Sequence, residues 1–369
     1  MADTPWRLIV DHNSYADFSV SVSPAVEAAV VAGEVLPTVF LNIFDSDSMT
    51  VGVNEDPEQV LDLDFCRAKG IPFRRRVNGG GVVYAGAGSA FLVLFLPTSH
   101  PRVPDNQADA FPTVLTAIAE VFRERYGFAA EYRPLNDIQV EGRKLVPTSL
   151  KIEDGVSTFR IVINVKAVDT EIAAGAMPMP PEKIVDKQIK DVRSRFTWLE
   201  REAARDISED ELVAFARHVT SHTFGETELV QGELTEAERR YADEFRARFD
   251  TDDWLYGKSR RNRIDHLLKA GDSVGTGRVK AMGGMIWVTL ALRRGKVLAA
   301  IVNGDWHPRP IASVAWLEDA LAGSEAEAST LRRCAADFLV REDVEYAGVT
   351  PDDLGDALEK ALAAQESIG

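Results

Sequence analysis

Cysteine is nearly absent: the 369 residues include only two, Cys66 and Cys334, far apart in the chain. That scarcity argues against a disulfide framework and makes a reducing cytoplasm the expected home. Cys66 follows Leu61, Leu63 and Phe65 in a helix-like stretch and reads as a small buried hydrophobe. Histidine is also scarce, six scattered residues with no zinc-type spacing, so no structural metal is expected. No apolar run approaches the roughly 20 residues of a membrane span. The opening Met-Ala-Asp-Thr-Pro-Trp lacks the basic and apolar regions of a signal peptide, so none is expected. Basic residues are outnumbered, 42 against 58 acidic ones, giving a net charge of −16. Such a field disfavours nucleic acid and anionic membrane as partners, although a local basic cluster still acts at short range. The Rossmann G-x-G-x-x-G and the P-loop G-x-x-x-x-G-K-[ST] fingerprints are both missing.

What is present is enough chain for two or three domains and a sizeable core. A β-rich run covers 38–44, and Asp56-Pro57 starts a helix carrying Val60, Leu63 and Phe65 towards Gly70. Residues 82–96 read as one buried strand ended by Pro97. The apolar set Phe111, Leu115, Ile118 and Phe122 marks one face of a helix. Strands at Lys144-Leu145 and 158–165 are expected side by side, hinged at Glu153-Asp154-Gly155. Capping boxes at Ser208-Glu209-Asp210-Glu211 and Thr235-Glu236-Ala237-Glu238 announce two more helices. The second ends near Phe249, and Asp250-Thr251-Asp252-Asp253 is the expected interdomain break. Beyond it, strands at 273–279 and 285–293 and helices near 313–322 and 353–365 complete an α+β tail. The body reads as mixed sheet and helices, not alternating βαβ units.

One segment stands out: Arg74-Arg75-Arg76-Val77-Asn78-Gly79-Gly80-Gly81-Val82-Val83-Tyr84. Three glycines in a row let backbone lie flush against a ligand, and guanidinium forks beside them suit a carboxylate or phosphate. Alone, the segment reads as a basic turn into a buried strand. It is followed in order by Asn136-Asp137-Ile138, Gly142-Arg143-Lys144 and Val192-Arg193-Ser194-Arg195-Phe196-Thr197-Trp198-Leu199.

Together these segments resemble the lipoate–protein ligase A family. That family carries an Arg-Arg-x-Ser-Gly-Gly-Gly-(Ala/Val)-Val-(Phe/Tyr) loop, an Asn-Asp pair, an Arg-Lys on a strand and a Ser-Val-Arg-Ser-Arg-Val-Thr-Asn-Leu closing motif. Val51-Gly52-Val53-Asn54-Glu55-Asp56-Pro57 is similar to its Ile-Gly-x-x-Gln-Asn-Pro turn. The resemblance spans nearly the whole chain. It implies a lipoate/biotin ligase-like α+β fold, with a catalytic domain over 1–250 and a C-terminal accessory domain over 251–369. The implied reaction uses ATP to convert a carboxylic acid, lipoate or a relative, to an acyl-adenylate, then passes the acyl group to a lysine of a carrier domain. Lys144 aligns with the family's key lysine, a point charge where negative charge develops; alone it reads as a solvated lysine at a strand end. Arg75 and Arg76 align with the arginine pair. Asn78, Gly79, Gly80, Gly81 and Val82 form the implied cradle for carboxylate and α-phosphate. Asn136 and Asp137 offer oxygen to ribose, phosphate or Mg²⁺, with Asp137 the metal ligand. Lys187 and Arg193 to Arg195 belong to the implied closing segment. Local docking of the carrier is expected through the basic runs at 74–76 or 258–263.

The departures from the pattern cluster. Ala85-Gly86-Ala87-Gly88-Ser89 stands where the family has His-Asp-x-Gly-Asn, and Val146-Pro147-Thr148-Ser149 where it has Ser-Gly-Ser-Ala. Phe159-Arg160-Ile161-Val162-Ile163 replaces His-Gly-x-Leu-Leu. These changes surround the expected acyl pocket, so two alternatives stand beside the carrier ligase: a different acid joined to a small-molecule amine, and a non-catalytic binding subunit. Octanoyl transfer in the cofactor-transferase relatives uses a cysteine nucleophile, and neither cysteine here lies in a matching motif.

Overall fold

A computed structural model describes residues 4–177 and 195–369. Contacts divide the chain into two units. The first comprises 1–50, 61–77 and 83–250, and the second 51–60, 78–82 and 251–369.

In chain order the first unit begins β1 (Trp6–His12), α1 (Tyr15–Val20), α2 (Val22–Val31), β2 (Thr38–Ile43) and β3 (Ser48–Val51). The helix expected from Pro57 to Gly70 is two short ones, α3 (Pro57–Val60) and α4 (Leu63–Ala68), because the Asp62 side chain accepts from Phe65 N–H and starts a second helix. The single strand expected over 82–96 is likewise two. After β4 (Phe73–Arg75), β5 (Val83–Ala85) joins a three-stranded sheet ordered β4-β3-β5, and β6 (Ala90–Pro97) enters the main sheet. Gly88, at φ 79°, makes the turn between them.

There follow α5 (Gln107–Tyr126), β7 (Glu131–Arg133), β8 (Asp137–Val140), β9 (Arg143–Glu153), β10 (Val156–Ile163), α6 (Thr170–Ala176), α7 (Leu199–Ala203), α8 (Glu209–Phe224), β11 (Leu229–Gln231) and α9 (Glu236–Phe249). Both expected capping boxes form, at Ser208 with Glu211 and at Thr235 with Glu238. The hinge at 153–155 is a tight turn with positive φ at Asp154 and Gly155, joining β9 to β10. Pro147 lies within β9 next to Thr148, the last residue paired with β10, and has no N–H with which to carry that pairing further.

The main sheet runs β11-β1-β2-β6-β10-β9-β8-β7, parallel from β11 to β2 and antiparallel thereafter. Alternation along β6 sends Leu92, Leu94 and Leu96 into one core, with Phe111, Leu115, Ile118 and Phe122 of α5 and Leu212 and Phe215 of α8. Phe91, Val93 and Phe95 enter the opposite core, with Tyr15 and Phe18 of α1 and Val22, Val26 and Val30 of α2. This is the mixed α+β body expected from the sequence.

The second unit holds α3 and continues with α10 (Asp252–Leu255), α11 (Arg260–Arg263), β12 (Ser273–Ala281), β13 (Gly284–Arg293), β14 (Lys296–Gly304), β15 (Pro308–Arg309), α12 (Ser313–Leu321), α13 (Ala328–Leu339), β16 (Glu345–Tyr346), α14 (Pro351–Ala363) and β17 (Glu366–Ser367). Its four-stranded sheet, β14-β13-β12-β17, is antiparallel. Ile286, Val288, Leu290 and Val302 of the sheet pack with Val314, Leu317, Leu331, Leu354 and Leu358.

Under α2 lies a buried ion cluster. Glu27 accepts from Arg160 of β10 and Lys151 of β9, each at 2.5 Å, and Arg160 Nε also donates to Ser23 Oγ at 3.2 Å. Burial works to raise the Glu27 carboxyl, but Arg160 and Lys151 outweigh it and hold it below the usual carboxylate range. A carboxyl depressed by folding stabilises the protein above its ordinary pKa of about 4.5, and that contribution is lost as pH falls through the folded value. Glu27→Gln leaves Arg160 buried without its counter-charge, which costs about 3–5 kcal/mol. Urea unfolding is expected to show that gap from wild type near neutrality and its narrowing towards about pH 3. An equal gap at both pH values would reject the assignment.

Candidate functional site

The decisive local geometry lies near the far edge of the main sheet. Gln139 of β8 faces Lys144 of β9, and Ile138 faces Val146, so Leu145 is an extra residue on β9. Such a bulge re-aims neighbouring side chains, and Lys144 Nζ meets Asp137 Oδ2 at 2.8 Å. Both side chains remain partly accessible, Lys144 at 32% and Asp137 at 18%. The other Asp137 oxygen, Oδ1, is buried with no hydrogen-bond donor among the described residues. An orphaned carboxylate oxygen fits a hard cation ligand. Asn136 is anchored through its side-chain amide, which donates to Thr148 O at 2.7 Å.

The closing segment reaches the same place. Phe196 bridges to Lys144, and Thr197 N–H donates to Lys144 O at 3.0 Å. Leu199 N–H donates to Asn164 O at 2.8 Å, so the chain runs on beside the end of β10. The Thr197 hydroxyl donates to Glu202, which also accepts from Arg143 at 3.2 Å. Desolvation lowers the pKa of Arg195. Lys187, Arg193 and Ser194 lie outside the described residues. Thus Asp137, Lys144, Phe196 and Thr197, scattered in sequence, are neighbours within the first unit.

The arginines are placed differently from a docking patch. Arg75 and Arg76 are 3% and 2% exposed, and Arg76 Nη1 donates to the Thr50 hydroxyl at 3.1 Å. Arg74 is bound to Asp250, Nε to Oδ1 at 2.6 Å. The second basic run is neutralised within its own unit: Lys258 and Arg263 reach Glu318 at 2.5 and 3.0 Å, Arg260 reaches Asp265 at 2.7 Å, and Arg261 reaches Glu58 at 3.3 Å. Arg75 and Arg76 are thus internal, whereas Arg260 and Arg261 stay exposed but paired with carboxylates.

Asn78, Gly79, Gly80, Gly81 and Val82 belong to the second unit. Gly80, at φ 88°, donates its N–H to Trp306 O at 3.1 Å, and Asn78 O accepts from Val53 N–H at 3.0 Å. A Cβ at Gly79 would stand 2.7 Å from Trp306 O, and one at Gly81 would stand 3.2 Å from the Asp305 Cβ. Close approach to the 305–307 turn therefore already requires glycine at Gly79. In place of the missing His-Asp pair, the turn after β5 is tied by Asp47. This carboxylate accepts from Tyr84 OH at 2.7 Å and from Ala87 N–H at 2.8 Å. Burial, reinforced by that bond, pushes the Tyr84 hydroxyl pKa well above its ordinary value.

The two thiols are both free. Cys66 is fully buried on α4, and burial, followed by the nearby Asp62 charge, raises its pKa. In Cys334, on α13, burial and Asp337 do the same, and its thiol points to Ala320 O at 3.6 Å.

A family model for the lipoyl protein ligase A/B catalytic domain matches residues 21–219, more than half of the chain. The chain belongs to that family. Octanoyltransferase LipM of Brevibacillus brevis is 23% identical over 273 residues, which cover 68% of this chain and 98% of the relative. Lipoate-protein ligase LplJ of Bacillus subtilis is 22% identical over 320 residues, covering 84% of this chain and 88% of the relative. Among solved structures, P. falciparum LipL1 in complex with lipoate superposes with a TM-score of 0.70 at 15% identity, covering 92% of this chain and 95% of that one. The fold is thus that of a lipoate ligase. Among the described residues no helix is long and apolar enough to cross a membrane.

Replacing Gly79 by Ala drives a methyl into the Trp306 carbonyl and is expected to destabilise the second unit by about 1–3 kcal/mol. Thermal or urea unfolding measures this, and an unchanged midpoint would show that glycine is not needed there for packing.

Proposed function

We propose that this family member is an ATP-dependent lipoate–protein ligase that activates lipoate, or a closely related acid, as its acyl-adenylate and transfers it to a lysine of a carrier domain. The observation that carries the reading is the state of the thiols. The chain has two cysteines in all, and burial and neighbouring carboxylates bias both towards the unreactive thiol. A transferase working through a cysteine would need the opposite environment, a base or positive charge that favours thiolate. The ligase LplJ also matches well beyond the share of the chain that the octanoyltransferase matches.

A free carboxylate does not condense with an amine in water unaided, so ATP supplies the leaving group. The acid's carboxylate attacks the α-phosphorus, pyrophosphate departs, and the lysine amine then displaces AMP from the mixed anhydride. In this reading Lys144 supplies positive charge where negative charge develops on the phosphate and acyl oxygens. Asp137 holds the ammonium in place through Oδ2 and offers its orphaned Oδ1 to Mg²⁺, which would offset polyphosphate charge. Asn136, Arg75 and Arg76, with Asn78, Gly79, Gly80, Gly81 and Val82, are proposed on the nucleotide and acyl group. A reducing cytoplasm suits the two unpaired thiols.

ATP–pyrophosphate exchange with lipoate and octanoate tests this. Exchange dependent on lipoate and Mg²⁺, reduced about 10²–10³-fold in Lys144→Ala, is expected. Cys66→Ser and Cys334→Ser should retain it. Absence of exchange, together with octanoyl transfer from a carrier thioester lost in one of the serine variants, would replace the ligase by the transferase.

A further inference from the structure

Away from the Lys144 region, two helices of the first unit bring together a group of side chains that the proposed reaction does not use. On α8, His218 and His222 are four residues apart and share one face. On α5, Glu120 and Glu124 have the same spacing. The helices pack through Phe122 and Phe215, whose rings stack 4.7 Å apart. At the rim of that contact His218 Nε2 stands 3.1 Å from Glu124 Oε2, and His222 Nε2 stands 2.9 Å from Glu120 Oε2. The imidazoles are 5.9 Å apart, edge to face. Ligand atoms of Glu124, His218 and His222 all lie within 4.8 Å of one another.

From this constellation we propose a divalent transition-metal site, of zinc type, held by Glu124, His218 and His222. Metal–nitrogen and metal–oxygen bonds of about 2.0–2.2 Å at a tetrahedral angle separate two ligand atoms by about 3.4 Å. The observed imidazole–carboxylate distance of 3.1 Å is already close to that, and the three ligand atoms, all within 4.8 Å of one another, can be drawn together by side-chain rotation. Two imidazoles beside a carboxylate favour zinc, cobalt, nickel or copper over magnesium, which prefers all-oxygen shells. Three protein ligands leave the fourth position to water, beside the Glu120 carboxylate. An ion there ties α5 to α8 and stabilises the folded first unit by linkage. In the sequence the histidine pair is visible, but its carboxylate partner lies about 95 residues upstream.

The test uses the full chain, free of any affinity tag, titrated with Zn²⁺ and Co²⁺ in a calorimeter and by melting temperature. A single saturable equivalent and a rise in melting temperature are expected, with a Co²⁺ visible spectrum of tetrahedral intensity and no sulfur charge-transfer band. His218→Ala should weaken binding by about tenfold or more and abolish the thermal rise. His222→Gln, a milder change, should do the same with the fold checked by circular dichroism. Mg²⁺ should produce neither effect. Binding that survives in the double variant His218→Ala/His222→Ala, or that is lost only in Cys66→Ser or Cys334→Ser, would overturn the site. So would the absence of saturable binding in the wild type.

Discussion

The first unit depends on one constraint: β6 is apolar on both faces and must be covered from both. Six of its side chains, from Phe91 to Leu96, are almost wholly buried, three in each core. At about 1.5–3 kcal/mol for each such side chain, their gross contribution rivals the whole net stability of a domain, about 5–15 kcal/mol. No arrangement that leaves one face wet can compete. α5 and α8 therefore cover one side and α1 and α2 the other, and β2 and β10 flank the strand with matching patterns. The remaining strands extend this centre, and β8 and β9, near its far edge, carry the Asp137–Lys144 pair.

Charge is managed by the same frame. A chain with a net charge of −16 nevertheless buries Arg7, Arg75, Arg76 and Arg160. A buried guanidinium needs a counter-charge or acceptors close by. Arg7 is held by Glu238 at 2.5 Å and by the Thr38 hydroxyl, and Arg160 by Glu27. The basic stretches that look like contact surfaces in the sequence are thus largely internal or neutralised. Near the sheet edge a lysine and a carboxylate on adjacent strands stay partly accessible and meet beside a bulge. That placement suits a group that must meet substrate while being held from behind. Sheet hydrogen bonds fix the strands, and the closing segment lies along the Lys144 backbone.

The Glu27, Arg160 and Lys151 cluster also gives physical meaning to one departure from the family pattern. Arg160 stands where the pattern has glycine, and its Nε and Nη2 donate to Ser23 and Glu27 of α2. Substitution there has changed how helix and sheet are fastened together, as distinct from exposing a new charge to ligand. The Asp47 bonds to Tyr84 and Ala87 do the same for the altered turn after β5.

Local signals determined a good deal on their own. The α5 face through Phe111, Leu115, Ile118 and Phe122, both capping boxes and the turn at Asp154 and Gly155 are short-range patterns, and short-range patterns survive in one dimension. The ordered motifs carried the family and the α+β fold, since a resemblance spread over the chain does not need contacts to be recognised. Tertiary structure decided where one run of residues is cut. Residues 82–96 serve two sheets because different neighbours claim their halves, whereas the stretch after Pro57 is cut locally, by the Asp62 cap. Tertiary structure alone decided that Arg75 and Arg76 are buried, that Gly79 is required by the Trp306 carbonyl, and that Asp137 and Lys144 touch. It also set His218 and His222 beside the glutamates of α5. Spacing along the chain specifies which face of one element a side chain occupies. What stands opposite that face is fixed only by packing between elements distant in sequence.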